Sequence, residues 1–291
     1  MADIELRFHH DMLVLSAPLD AALARQGVDV ARDRQYLNLM EPDVVRDALR
    51  MELVAGAQCL VTPTEDVTRA RLAHVNMDAD AARLARAALD IAAELKPQHV
   101  LAEIGPCGLP LDPSSKASLN ENRGQYADAA RAFGEGAFDA FFLNGFTNIV
   151  DLKCALMGVA QVSGKPVFAS ATPNQKALWP ELVETMADLG ASVVGIETAE
   201  PVDRALAYIE EAKRLADLPI LVQLRVTQPS VAAAKGLVPL QDIEEYTPDT
   251  LDRAAVKLFG AGAQFLRATG AATSACTAAL AATVSGLSVR R

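Results

Sequence analysis

The sequence predicts one closed (β/α)8 barrel spanning residues 1–291, an α/β fold with parallel strands inside a ring of helices. Three observations carry that prediction. Short apolar runs alternate with longer Ala- and Leu-rich amphipathic stretches along the whole chain. The runs number about eight and are too apolar to be half-exposed, as strands of a fully covered parallel sheet must be. No Gly-x-Gly-x-x-Gly loop follows the first run, which argues against the open, doubly wound alternative.

The runs fall at residues 12–15, 59–62, 99–102, 140–143, 166–169, 192–196, 219–222 and 264–266. Between them, apolar residues recur at steps of three and four, so each helix buries one face. Val44, Ala48, Leu49 and Leu53 do so within 43–55; Leu84, Ala88, Ile91 and Leu95 within 79–95; Leu206, Ile209, Ala212 and Leu215 within 203–216. Glu41-Pro42-Asp43 and Thr247-Pro248-Asp249 read as helix starts, since Pro suits the first turn and Asp the positive end of the helix dipole. Gly56, Gly136, Gly190 and Gly262 read as left-handed caps before the next strand. Two stretches, 105–123 and 226–248, read as long loops on the side where barrel enzymes carry their active mouth.

A chain of 291 residues can bury one large core, and with only 5 % aromatics that core is built mainly of Ala, Leu and Val. The net charge of -10, with no Lys/Arg cluster among aromatics, excludes nucleic acid as the expected partner. No segment approaches the roughly 18 apolar residues of a membrane span, so no membrane partner and a cytoplasmic location are expected. Cys59, Cys107, Cys154 and Cys276 show no Cys-x-x-Cys spacing and read as small buried thiols rather than a disulfide framework.

Several segments resemble the homocysteine S-methyltransferase family. Leu39-Met40-Glu41-Pro42-Asp43-Val44-Val45 with Leu53-Val54-Ala55-Gly56-Ala57 is similar to its second-helix signature. Thr62-Pro63-Thr64 stands where the family has Thr-Asn-Thr-Phe, and Ile104-Gly105-Pro106-Cys107-Gly108 resembles its Gly-Ser-Ile-Gly-Pro loop. Tyr126 with Gly136-Ala137-Phe138-Asp139, and the stretch from Tyr246-Thr247-Pro248 to Gly262-Ala263, extend the resemblance over nearly the whole chain. The resemblance implies a zinc barrel in which three cysteine thiolates hold the metal and the metal keeps the substrate sulfur as a thiolate. The sequence departs from that pattern. The place of an Asn-Cys after strand six reads Gly195-Ile196-Glu197-Thr198, and the place of Gly-Gly-Cys-Cys-Gly-Thr after strand eight reads Ala268-Thr269-Gly270-Ala271-Ala272-Thr273. Leu15-Ser16-Ala17-Pro18 replaces the Asp-Gly that ends strand one. Asn144 replaces the Glu that helps hold the substrate amino group, and Gln223-Leu224-Arg225-Val226 replaces Pro-Asn-Ala-Gly after strand seven. Cys276 lies too far along to be a ligand and reads as a structural thiol.

The strand ends then collect Glu65, Glu103, Asn144, Ser170, Glu197, Arg225 and Arg267 at one mouth. Three carboxylates could hold a hard metal, but two arginines would pair with them. The set reads either as an internal ion-pair network capping the barrel or as a site for a small polar ligand whose carboxylate or phosphate an Arg fork holds. Thr172-Pro173-Asn174 reads as a turn at that mouth. Of the four histidines, His9 and His10 read as solvated, His74 as a helix end and His99 as the start of strand three on the stability face. No cofactor is expected from the chain itself; a corrinoid or folate would come on a partner protein. Two functional readings follow. One is a zinc-free barrel related to methyl transfer in one-carbon or corrinoid-linked metabolism. The other is an inactive pseudoenzyme serving as a binding or scaffold subunit of a methyltransferase system.

Overall fold

The computed structural model describes residues 3–173, 175–227 and 246–288. Its strands are β1 (Leu13–Val14), β2 (Cys59–Val61), β3 (His99–Ile104), β4 (Ala140–Phe146), β5 (Val167–Ala171), β6 (Val193–Thr198), β7 (Ile220–Val226) and β8 (Phe265–Gly270). All pair in parallel in the order β1-β8-β7-β6-β5-β4-β3-β2, and a bridge from Leu15 to Cys59 brings the two edges together as a barrel. Outside it pack α1 (Pro42–Val54), α2 (Ala81–Glu94), α3 (Lys116–Phe133), α4 (Ile149–Ala160), α5 (Trp179–Asp188), α6 (Val202–Leu215), α7 (Pro248–Ala261) and α8 (Ser274–Ser288). Shorter helical turns fill the connection between β1 and α1.

Strand side chains alternate between two environments. Val14, Val100, Phe141, Val194 and Val222 face the helices in one large core, whereas Leu13, Leu101, Phe142, Val193 and Leu221 fill the barrel itself. Ile4 and Phe8 cover the N-terminal end of that interior. The Phe8 ring stands 6.0 Å from those of Phe168 and Phe265, which meet edge-on at 4.8 Å. This end is an apolar plug, so polar chemistry is left to the opposite mouth.

β1 is too short to hold β2 by a ladder, and two side chains complete the seam. The Gln58 Oε1 accepts from Val14 N–H at 2.8 Å, and the Ser16 Oγ accepts from Val61 N–H at 2.9 Å. Backbone bonds from Gln58 N to Val14 O (3.0 Å) and from Ser16 N to Cys59 O (2.9 Å) lie between them.

Both Pro-led helices start as the sequence indicates, and Thr247 closes a capping box with Thr250. One glycine reading needs correction. Gly56, Gly190 and Gly262 have positive φ, but Gly136 does not; α3 ends instead on Gly134 at φ 52. Gly136 is set by close approach, because a Cβ there would stand 2.9 Å from the Phe133 carbonyl oxygen and run into the buried Leu89 side chain. The stretch 105–123 is also only partly a loop. Its second half is the first turns of α3, started by Ser115, whose hydroxyl accepts from Ser118 N–H at 3.3 Å. A polar composition hides a buried stripe of Asn122, Tyr126, Ala129, Ala130 and Phe133. Of the stretch 226–248, residues 228–245 lie outside the described residues. All four cysteines and His99 are buried, and among the described residues no helix is long and apolar enough to cross a membrane.

Ser16→Ala removes the side-chain acceptor of the buried Val61 N–H across the seam. It is expected to cost about 1–3 kcal/mol of unfolding free energy, read by urea denaturation.

Candidate functional site at the barrel mouth

The alternation that fills the barrel with apolar groups near its floor turns polar at the C-terminal strand ends. Glu103, Asn144, Ser170, Glu197, Gln223, Arg225, Arg267 and Thr269 share the inward parity of the plug residues on their own strands. The seven residues singled out from the sequence fall into three groups.

Glu103, Asn144, Ser170 and Arg267 form one buried network around a fifth residue, Gln223. Asn144 Nδ2 donates to Glu103 Oε1 at 2.7 Å, and Gln223 Nε2 donates to Asn144 Oδ1 and to Ser170 Oγ, each at 2.7 Å. Arg267 is 2 % exposed. Its Nη1 donates to Glu103 Oε1 and Gln223 Oε1, both at 3.3 Å, and its Nε donates to Ser16 O at 2.9 Å. The guanidinium also lies 5.3 Å from the Phe142 ring centroid, a cation–π contact. Two threonines fix Glu103 from behind: Thr62 Oγ1 accepts from its N–H at 3.1 Å, and Thr64 Oγ1 donates to its carbonyl at 2.7 Å.

Glu197 and Arg225 form the second group, on adjacent strands β6 and β7. Glu197 Oε1 accepts from Arg225 Nε at 3.1 Å and from Thr269 Oγ1 at 2.7 Å, and Oε2 accepts from Thr172 Oγ1 at 3.0 Å. Burial alone would raise this carboxyl, yet Arg225 and the two hydroxyls hold it below the usual carboxylate range. Thr172 is therefore part of the site rather than a bare turn; its neighbour Asn174 lies outside the described residues. Arg225 is 46 % exposed, and among the described residues its terminal nitrogens have no hydrogen-bond partner.

Glu65 stands apart from both. It pairs with Arg34, which also donates to Asp20 Oδ1 at 2.7 Å, on the β1–β2 side of the mouth. A cavity of about 30 Å³ opens there, with Asp20, Arg34, Asn38, Glu65, Glu103 and Arg267 in its wall.

Gln223, Thr269 and Glu52 are among the polar groups that the sequence reading left out. Gln223 was legible as the polar member of the Leu221-Gln223-Arg225 parity on an otherwise apolar strand. Glu52 was not, because it lies on α1 and looks like solvated helix. It is 3 % exposed, accepts from Ala17 N–H at 2.9 Å and Thr277 Oγ1 at 2.6 Å, and burial pushes its carboxyl up.

The positions that resemblance assigns to zinc thiolates carry other chemistry. The Thr198 hydroxyl accepts from Glu200 N–H at 3.0 Å. Gly270 sits at φ +66, and a Cβ there would meet Val226 O at 2.6 Å, so this backbone has no room for a side chain. Ala271 offers no donor side chain, and Cys276 lies buried in α8. Among the described residues no group of three His, Cys, Asp or Glu side chains could hold a metal.

Arg267→Met leaves Glu103 buried without its cation and is expected to cost about 3–5 kcal/mol in urea denaturation. The double variant with Glu103→Gln is expected to recover most of that loss. At the other pair the lowered Glu197 pKa contributes stability above the unfolded carboxylate value of about 4.3. That contribution disappears as pH falls through the lower folded value. Arg225→Met takes away the main influence opposing burial and leaves only the Thr269 and Thr172 hydroxyls, so the carboxyl rises. The variant is expected to lose about 1 kcal/mol at neutral pH, a figure kept small because Arg225 is half in water, and its acid limb moves to higher pH. Urea midpoints measured across pH check both statements.

The Homocysteine S-methyltransferase family profile matches residues 13–271. Among solved structures, the homocysteine methyltransferase MmuM from Escherichia coli in its metallated form superposes with a TM-score of 0.74 at 16 % identity, covering 94 % of this chain and 96 % of that one. The oxidized form of the same protein gives 0.76 at 16 % identity over the same shares. A methyltransferase from Methanosarcina mazei gives 0.61 at 14 % identity, covering 95 % of this chain and 94 % of that one. At such identities the structural likeness speaks for the fold, and the profile match, over most of the chain, speaks for descent. The chain belongs to the homocysteine S-methyltransferase family.

Proposed function

We propose that this protein is a barrel related to methyl transfer that acts on a small polar substrate without thiolate-held zinc. The observation that carries the reading is the Glu197–Arg225 pair at the ends of β6 and β7. Among the described residues only Nε of the half-exposed Arg225 guanidinium is engaged, and Glu197, kept ionised, fixes the angle of the fork. A substrate carboxylate or phosphate is the natural partner of such a fork. Zinc does not fit: Thr198, Gly270 and Ala271 supply no thiolate, and position 270 cannot take a side chain without moving the backbone. The substrate nucleophile is therefore not activated as a zinc thiolate. In this reading the Glu103–Arg267 network forms a dry polar floor, the Arg225 fork orients the substrate, and any corrinoid or folate arrives on a partner in the cytoplasm.

A second reading is favoured by the same floor. Glu103, Asn144, Ser170, Gln223 and Arg267 bond to one another, which suits a capped barrel serving as a scaffold or binding subunit of a methyltransferase system.

Native mass spectrometry of the protein purified from its own host separates the two. A small polar adduct on the bare chain or homo-oligomer supports the substrate site and identifies the ligand. Arg225→Met is then expected to weaken its binding roughly 10- to 100-fold, the range of a lost charged hydrogen bond. A stable complex with a corrinoid protein or a barrel relative, and no adduct, supports the scaffold. Stoichiometric zinc on the isolated chain overturns the zinc-free reading.

A further inference from the structure

Behind the Glu65 loop lies a second cavity, of about 20 Å³, walled by Arg34, Gln35, Asn38, Thr64, Glu65 and Asp66, with Leu72 and Leu84 at its back. Among the described residues two amide oxygens there have no hydrogen-bond partner. Asn38 is 4 % exposed; its Nδ2 donates to Pro63 O at 2.9 Å, and its buried Oδ1 is unbonded. Gln35 Nε2 donates to Asp66 Oδ2 at 3.1 Å, and its Oε1 is likewise buried and unbonded. These donor bonds fix the orientation of both amides, since flipping either would set an oxygen against an oxygen. The residues are three apart on continuous helical turns, so both amides serve the same side. A buried acceptor without a donor is costly, and two around one cavity point to a missing positive or donating group.

The charges around the cavity are also unequal. Asp20 and Glu65 share Arg34, and Asp66 stands 3.7 Å from Arg71. The cavity wall itself holds two carboxylates, Glu65 and Asp66, and one guanidinium, Arg34. We propose that this cavity holds one small monovalent cation, of sodium or potassium size, between Asn38 Oδ1 and Gln35 Oε1, with the surplus carboxylate charge of Glu65 and Asp66 balancing it. Hard oxygen donors suit such an ion, and the space admits little more. Its role is to pin the turn that carries Glu65. That turn is already tied through Pro63 O to Asn38 and through Glu65 O to Gly105 N–H at 2.8 Å. The site is separate from the Arg225 fork and does not depend on the function proposed for it.

The rival occupant is a water, which would donate to both oxygens but would not respond to the identity of the salt. The full chain is exchanged into tetramethylammonium chloride, and sodium or potassium chloride is then titrated in at constant ionic strength. The melting temperature and the 23Na line width are followed. The expected result is a saturable rise of a few degrees with sodium or potassium. In Gln35→Met that rise is expected to vanish, while Tm in tetramethylammonium stays at or above wild type because an orphan acceptor has gone. Asn38→Leu is expected to behave likewise, and the less buried Gln35 site keeps the test decisive if Asn38→Leu does not fold. Equal melting in all three salts, or an undiminished rise in Gln35→Met, overturns the proposal.

Discussion

A guanidinium sealed inside a barrel dictates what surrounds it. Arg267 reaches from β8 to the end of β1 through Ser16 O, to β3 through Glu103 and to β7 through Gln223. Removing a charge from water is tolerated only where a counter-charge and further acceptors meet it. The placement of Glu103, and through it Asn144, Gln223 and Ser170, follows from that one residue. The apolar floor below keeps the local dielectric low, which strengthens these bonds and raises the cost of losing any of them. Fold closure and site architecture meet at the same side chain.

Much of the fold was legible because its signals are local. Strand runs, Pro-led helix starts and three of four glycine caps depend on neighbouring residues alone. Gly136 was misread because its constraint is steric, from the Phe133 carbonyl and the Leu89 side chain of another helix, and not a left-handed φ. The start of α3 was missed because its buried stripe is interrupted by Asn, Glu and Arg, so periodicity is faint there. The polar strand-end residues could be collected from their parity. Their grouping could not, since it depends on which carboxylate each arginine reaches across the barrel. Glu52 illustrates the extreme, a charged residue on an amphipathic helix whose partners lie on the β1 connection and on α8.

Family membership fixes the scaffold without fixing the chemistry of the mouth. The helix-facing residues of the strands set how the barrel packs, and the inward residues at the strand ends set what the mouth can bind. Substitution can proceed at the second set while the first keeps the fold. The backbone at Gly270 adds a steric element to the chemical one. The turn after β8 approaches Val226 closely enough that any side chain at position 270 would require the backbone to shift.

The bond from Arg267 to Ser16 joins residues 251 apart. β1, two residues long, takes its strand neighbours from Phe265 and Leu266 at the far end of the chain. During synthesis β1, Glu103 and Gln223 therefore wait for their partners on β8 until Arg267 has left the ribosome. Topology of this kind ties closure to the emergence of β8, and strand edges left unpaired until then are open to aggregation.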